Sequence, residues 1–302
     1  MRLPLFNRVK VSFCTCLPKY NINPYLGRCA HRCIYCYAVK FPSFNGPTVP
    51  RLKLKDDIVK MAENTKVRLP VMLSDCTDPY QPLEREYKIT RKCLEILAKN
   101  HFPLLIVTKS DMVTRDLDIF KLTPTVVSMT VTTLRKEVIE LIEPYAPSPD
   151  RRLSALKKIG DEGIPTVLRI DPIIPTVNSD EEELGELVSK AAEFGVRQIT
   201  ASTMKPVRGF FSALRKVNPD VSERLLKVYA DGIWIAGYKY LATEERGRIM
   251  RRLGSIVLRY GLAFATCREG SPELNTSICD GTAYCREEPL NRCLNLSFRF
   301  HQ

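Results

Sequence analysis

No apolar stretch in this chain is long enough to span a bilayer. The longest runs, such as PLLIVT at 103–108, have the length of a strand, whereas a membrane helix needs about 20 apolar residues. The opening MRLPLFNRVKVSF lacks the apolar core and small-residue cleavage site of a secretory leader, and no repeat or low-complexity tail follows. The expectation is a cytoplasmic protein with no membrane segment. In a reducing compartment, closely spaced cysteines serve as metal ligands or catalytic groups rather than crosslinks.

Cysteine itself is plentiful, with 11 in 302 residues. A chain of this length with 44% hydrophobic residues can bury one large core, or a core and a small accessory module, and single α/β barrels are of this size. The net charge of +12 is unevenly spread. Lys and Arg number 11 against 2 Asp and Glu in residues 1–60, 19 against 22 in 61–203, 12 against 5 in 204–260, and 4 against 5 in 261–302. Two basic segments that meet in space would attract phosphates; a solubility device or a thermophile's Lys and Arg bias gives the same count.

Short apolar runs alternate with helical periods. Strands are expected at 70–75, 103–110, 125–133, 166–174 and 197–204, with helices at 84–100, 150–163 and 179–195, the last capped by Ser179 or Asp180. This order predicts parallel βαβ units, an α/β fold of the partial (β/α)6 TIM-type barrel kind, with function at the C-terminal strand ends. Residues 1–205 read as the core. Residues 206–302 read as an accessory region of basic helices and a cysteine-bearing tail.

Within NPYLGRCAHRCIYCYAVKF (23–41), Cys29, Cys33 and Cys36 have the spacing C-x3-C-x2-C. A structural zinc ion wants four ligands, and His31, lying between two of the cysteines, could join them only with strain. A cubane cluster held by three thiolates keeps one iron open for chemistry. CAHRCIYCY resembles the signature of the radical S-adenosylmethionine (SAM) enzymes. SDCTDPYQPLEREYKITRKCLEIL (74–97), LLIVTKS (104–110) and IEPYAPSPDRRLSALKKIGDEGIPTVLRIDPIIP (142–175) narrow the resemblance to the spore photoproduct lyase-related branch, over roughly residues 20–205. Arg28 separates Gly27 from the first cysteine, so the loop departs slightly from the usual pattern.

The resemblance implies a [4Fe-4S] cluster on Cys29, Cys33 and Cys36, and reductive cleavage of S-adenosylmethionine to a 5′-deoxyadenosyl radical. It implies that Tyr37 borders the adenosyl group, that Asp75, Thr77 and Asp78 serve the aminoacyl end, and that Lys109 pairs with the cofactor's carboxylate. Ser128 or Thr130 would serve the ribose or aminoacyl group, according to strand register, and Arg169 could take the carboxylate instead. Each of these residues could alternatively cap a helix or pack. Cys76 corresponds to a hydrogen-atom donor of the photoproduct lyases, with a small buried hydrophobe as the alternative. Cys93, mid-helix, reads as core. An electron donor of the ferredoxin or flavodoxin type is implied.

The tail holds Cys267, Cys279, Cys285 and Cys293, enough for a closed zinc site or a second [4Fe-4S] cluster. Cys14 and Cys16 could join that site or guard the mouth of the first cluster. The basic helices, with Tyr229, Trp234, Tyr238 and Tyr240 nearby for stacking, favour RNA or DNA as substrate, through transfer RNA base modification or photoproduct reversal. A peptide, protein or small-molecule substrate is the second reading. A non-enzymatic iron–sulfur or zinc nucleic-acid-binding protein is the third.

Overall fold

A computed structural model describes residues 2–6 and 13–285. Seven parallel strands form one sheet in sequential order: β1 (Tyr20–Ile22), β2 (Val71–Leu73), β3 (Leu104–Thr108), β4 (Thr125–Thr130), β5 (Thr166–Ile173), β6 (Gln198–Thr203) and β7 (Ala263–Thr266). The first and last strands are both edges, so the sheet is a partial TIM-type barrel. All five expected strands are present. The two that close the series were not expected, because a three-residue YNI and a four-residue AFAT carry too little apolar length to stand out.

Helices pack on the outside. Among them α1 (Leu54–Asn64), α2 (Ile89–Lys99), α3 (Pro149–Asp161) and α4 (Glu181–Glu193) bury one apolar stripe each. On α2 that stripe is Ile89, Cys93, Leu94 and Leu97, which fixes Cys93 as a core residue. The helix expected over 84–100 is broken at Lys88, whose φ of +50° separates a four-residue turn from α2. Asp180 caps α4 by accepting from the amides of Glu182 (3.1 Å) and Glu183 (3.0 Å).

Beyond residue 205 come α5 (Phe210–Val217), α6 (Pro219–Val228), an antiparallel hairpin of Ile233–Ile235 and Tyr238–Tyr240, and α7 (Thr243–Arg259). The chain then returns as β7 beside β6. The expected division at 205 thus falls inside a sheet that continues past it. The tail does not hang outside. Gly281 (φ +80°) sits against Val167 and Val126, and Cys285 packs with Met72, Leu105, Val126 and Val167 and donates to the Leu104 carbonyl at 3.3 Å. Residues 278–285 therefore plug the barrel interior.

Candidate active site

The C-terminal strand ends surround a cavity of about 310 Å³. The loop that carries Cys29, Cys33 and Cys36 is anchored at its base by a small antiparallel pairing of Tyr25–Leu26 with Val49–Pro50. Gly27 turns the chain with φ +71°, and a Cβ there would lie 1.8 Å from the Pro47 carbonyl oxygen. The amides of Gly27 and Arg28 donate to the carbonyls of Ser43 (2.9 Å) and Gly46 (3.0 Å). Within the loop, the Arg32 amide donates to the Cys29 carbonyl and the Cys36 amide to that of Cys33. All three thiols border the cavity.

Two buried groups clamp this loop. His31 lies 3.2 Å from the Tyr145 carbonyl oxygen through Nδ1 and 3.3 Å from the Asp78 carboxylate through Nε2. Tyr35 donates to Glu143, which pairs with the wholly buried Arg152 at 2.5 Å. Burial pushes the Glu143 carboxyl up, but Arg152 and Lys109 more than offset this and hold it below its ordinary range. His31 is therefore a brace.

The segment after β2 forms the next wall. Ser74 takes φ +63°, and its amide donates to the Ile22 carbonyl at 2.8 Å. Asp75 accepts from Asn21 and Asn23 side-chain amides, each at 2.9 Å, and its carbonyl accepts from the Tyr37 hydroxyl at 2.5 Å. The Tyr37 ring meets Tyr238 of the hairpin edge-on, 6.2 Å between centroids. Cys76 stands beside Asp75 and Tyr37 and lines the cavity; burial, followed by Asp75, pushes its thiol up, so it keeps its hydrogen.

Lys109 lines the cavity with its ammonium 5.6 Å from the Tyr35 ring centre. Arg169 lines it too, paired with Asp171 at 2.5 Å. Among the described residues the lining holds seven Lys or Arg (Lys19, Arg28, Arg32, Lys109, Arg169, Lys205 and Arg268) against four aspartates (Asp75, Asp78, Asp171 and Asp280). The cavity is cationic.

A model of the radical SAM superfamily matches residues 23–189. The chain belongs to that superfamily. It is therefore a radical SAM enzyme, whose family implies a [4Fe-4S] cluster and S-adenosylmethionine. An uncharacterized protein of Methanocaldococcus jannaschii is 34% identical over 172 residues, 56% of this chain and 65% of that protein, so the match spans somewhat under two thirds of the relative's length. Spore photoproduct lyase complexed with a dinucleoside spore photoproduct shares the fold (TM-score 0.66, 18% identity, 86% of this chain and 79% of the lyase). So does Streptococcus suis SuiB bound to its precursor peptide (TM-score 0.56, 15% identity, 85% and 51%).

The donor set fits the cluster: three thiols from one braced loop, on one cavity, beside a lysine and an arginine. Among the sequence candidates, Cys29, Cys33, Cys36, Tyr37, Asp75, Cys76, Thr77, Asp78, Lys109, Thr130 and Arg169 all line this cavity. Two of the candidates are more enclosed than the rest. Asp78 is 6% exposed and its carboxylate is engaged by the Tyr80 amide (2.8 Å), the Thr108 hydroxyl (2.7 Å), the Lys109 amide (2.7 Å) and His31, so it knits the wall together. Ser128 and Thr130, two residues apart on β4, share one face. Thr130 reaches the cavity, whereas Ser128 is fully buried and absent from its lining.

The tail set also divides differently. Cys267 and Cys279 come together, Cys285 lies in the barrel interior, and Cys293 lies outside the described residues. Of the aromatic residues proposed for stacking, Tyr229 and Tyr240 are wholly buried, Tyr238 is cavity wall, and Trp234 is 48% exposed. Sequence reading missed Glu143, Asn21, Asn23 and Arg268. Glu143 lies in the IEPYAP stretch, but a carboxylate in a loop gives no sign that it is buried against a tyrosine 108 residues away along the chain.

Proposed function

We propose that this radical SAM enzyme acts on a nucleic acid base, with Cys76 returning a hydrogen atom to the substrate. The observation that carries the reading is the cationic cavity, seven Lys or Arg against four aspartates around the strand ends, which suits a phosphodiester better than a neutral small molecule. Exposed Trp234, with the Arg208 guanidinium 5.9 Å from its ring centre, adds a stacking surface on the hairpin. The dinucleoside bound by the lyase of the same fold supports the same substrate class.

Cys29, Cys33 and Cys36 would hold the cluster, which when bound supplies the electron that cleaves S-adenosylmethionine. The protein's own groups do the rest. Lys109 and Arg169 offer cations to the cofactor's carboxylate, and Asp75 and Thr77 offer acceptors to its ammonium. Tyr37, fixed through its hydroxyl on the Asp75 carbonyl, walls the cavity beside Cys76. The Cys76 thiol, kept protonated, presents a weak S–H bond to a substrate radical. A ferredoxin- or flavodoxin-type donor in a reducing cytoplasm would deliver the electron.

The test is anaerobic. After reconstitution with iron and sulfide, dithionite and S-adenosylmethionine are added, and 5′-deoxyadenosine is assayed alone and with transfer RNA or irradiated DNA. Cleavage stimulated by either nucleic acid supports the reading. Cleavage stimulated only by peptides or small molecules would overturn the substrate assignment, and binding of RNA or DNA with no cleavage under any condition would favour a binding protein.

A further inference from the structure

A second group of thiols borders the same cavity. The Cys16 sulfur lies 3.9 Å from that of Cys279, Cys14 contacts Cys16, and Cys267 contacts Cys279. Cys14, Cys16 and Cys267 face the cavity, with Cys279 buried behind them. Segments more than 250 residues apart supply this group, and the fold holds them firmly. Lys19 pairs with Asp280 at 2.6 Å with both side chains buried, the Cys267 amide donates to the Ala201 carbonyl at 2.8 Å, and the Cys279 carbonyl accepts from Thr200 at 2.8 Å.

Apolar packing does not explain the group. Lys19, paired with Asp280, also stands against Cys16, and Arg169, paired with Asp171, faces Cys267 and Cys279, so two cations border a group of sulfurs that lines a polar cavity rather than an apolar core. Four thiols gathered from distant segments on one cavity wall, beside two cations, make a metal site. A single zinc ion, with Zn–S about 2.3 Å, needs all four sulfurs roughly 3.8 Å apart. The Cys16–Cys279 pair has that spacing, but among the described residues no three Cys, His, Asp or Glu side chains converge on one ion. That holds equally for Cys29, Cys33 and Cys36, whose spread suits ligands on different irons of a cluster.

We infer that Cys14, Cys16, Cys267 and Cys279 bind a second iron–sulfur cluster, facing the same cavity as the first. The ligand set and the site are independent of the substrate, and rest on the proposed reading only for the position of the first cluster.

The experiment removes the first site and counts what remains. The C29A/C33A/C36A chain, reconstituted anaerobically with iron and sulfide, should retain iron and sulfide in equal amounts, about two of each for a [2Fe-2S] cluster, whose irons each take two neighbouring thiolates, or about four of each for a cubane. Adding C267S and C279S should remove them, whereas adding C285S should not. Zinc alone, no metal, or iron that survives C267S and C279S overturns the inference. If the multiple variants fail to fold, the unaltered chain decides: about six to eight irons with two cluster signals in Mössbauer spectra is expected, and about four irons with one signal overturns it. Formation of 5′-deoxyadenosine by the unaltered chain reports on the first site alone, so the two readings fail separately.

Discussion

Gly27 and Cys76 show how single residues set the site. At Gly27 a methyl group would meet the Pro47 carbonyl oxygen in a left-handed backbone, a conformation that costs other residues about 1–3 kcal/mol before any clash. Gly27→Ala should therefore displace the cluster loop and lower iron retention after reconstitution, while the melting temperature of the barrel falls only modestly. Undiminished iron content would show that the loop tolerates the shift. Arg28, which separates this glycine from Cys29, leaves the turn intact because its amide bonds to Gly46. At Cys76 the prediction is a change of product rather than of rate of cofactor cleavage. Cys76→Ala should form 5′-deoxyadenosine as before but release altered or unquenched product, detectable by mass spectrometry; an unchanged product would return Cys76 to a packing role.

At the scale of elements, the tail and the hairpin were the least legible parts. Residues 263–285 read as an appendage because their strand is short and their cysteines lack paired CxxC spacing, yet β7 extends the sheet and Gly281 and Cys285 enter the barrel. Lys19 and Asp280 lock the two ends of the chain together across that plug. Lys19→Met leaves a buried carboxylate without its cation and should destabilise the fold by about 3–5 kcal/mol in denaturant titration, with much of the loss recovered by also replacing Asp280 with Asn. A loss below about 1 kcal/mol would mean that Asp280 finds compensation from Thr282, whose amide and hydroxyl already donate to it. On the hairpin, Trp234→Ala should weaken single-stranded RNA or DNA binding by roughly 5- to 100-fold with no change in melting temperature. Equal binding by the variant would remove Trp234 from the interface.

For the whole molecule, basic side chains gather in two places. Arg215, Lys216, Arg224 and Arg251 lie exposed on the later helices, while Lys19, Arg28, Arg169, Lys205 and Arg268 turn inward around the cavity and Arg32 stands exposed at its edge. No helix among the described residues is long and apolar enough to cross a membrane. If Arg28, Arg32 and Arg268 of the cavity lining each meet a phosphate, the logarithm of affinity for single strands should fall against the logarithm of salt with a slope of about −2. Fluorescence anisotropy over a salt series measures it, and a slope near zero would rule out electrostatic recognition.

The sequence by itself determined the cluster loop, the parallel barrel and the strand-end rim, because each is a local pattern: three cysteines in eight residues, apolar runs of strand length, helical periods between them. Tertiary structure alone decided which tail cysteines meet which. Cys14 and Cys16 join Cys267 and Cys279 while Cys285 goes elsewhere. Such pairings depend on where the chain returns after more than 250 residues, and spacing along the sequence carries no information about that return. The same reason separates Asp75 from Asp78, three residues apart: one faces the cavity edge, and the other is consumed by the bonds that hold the wall together.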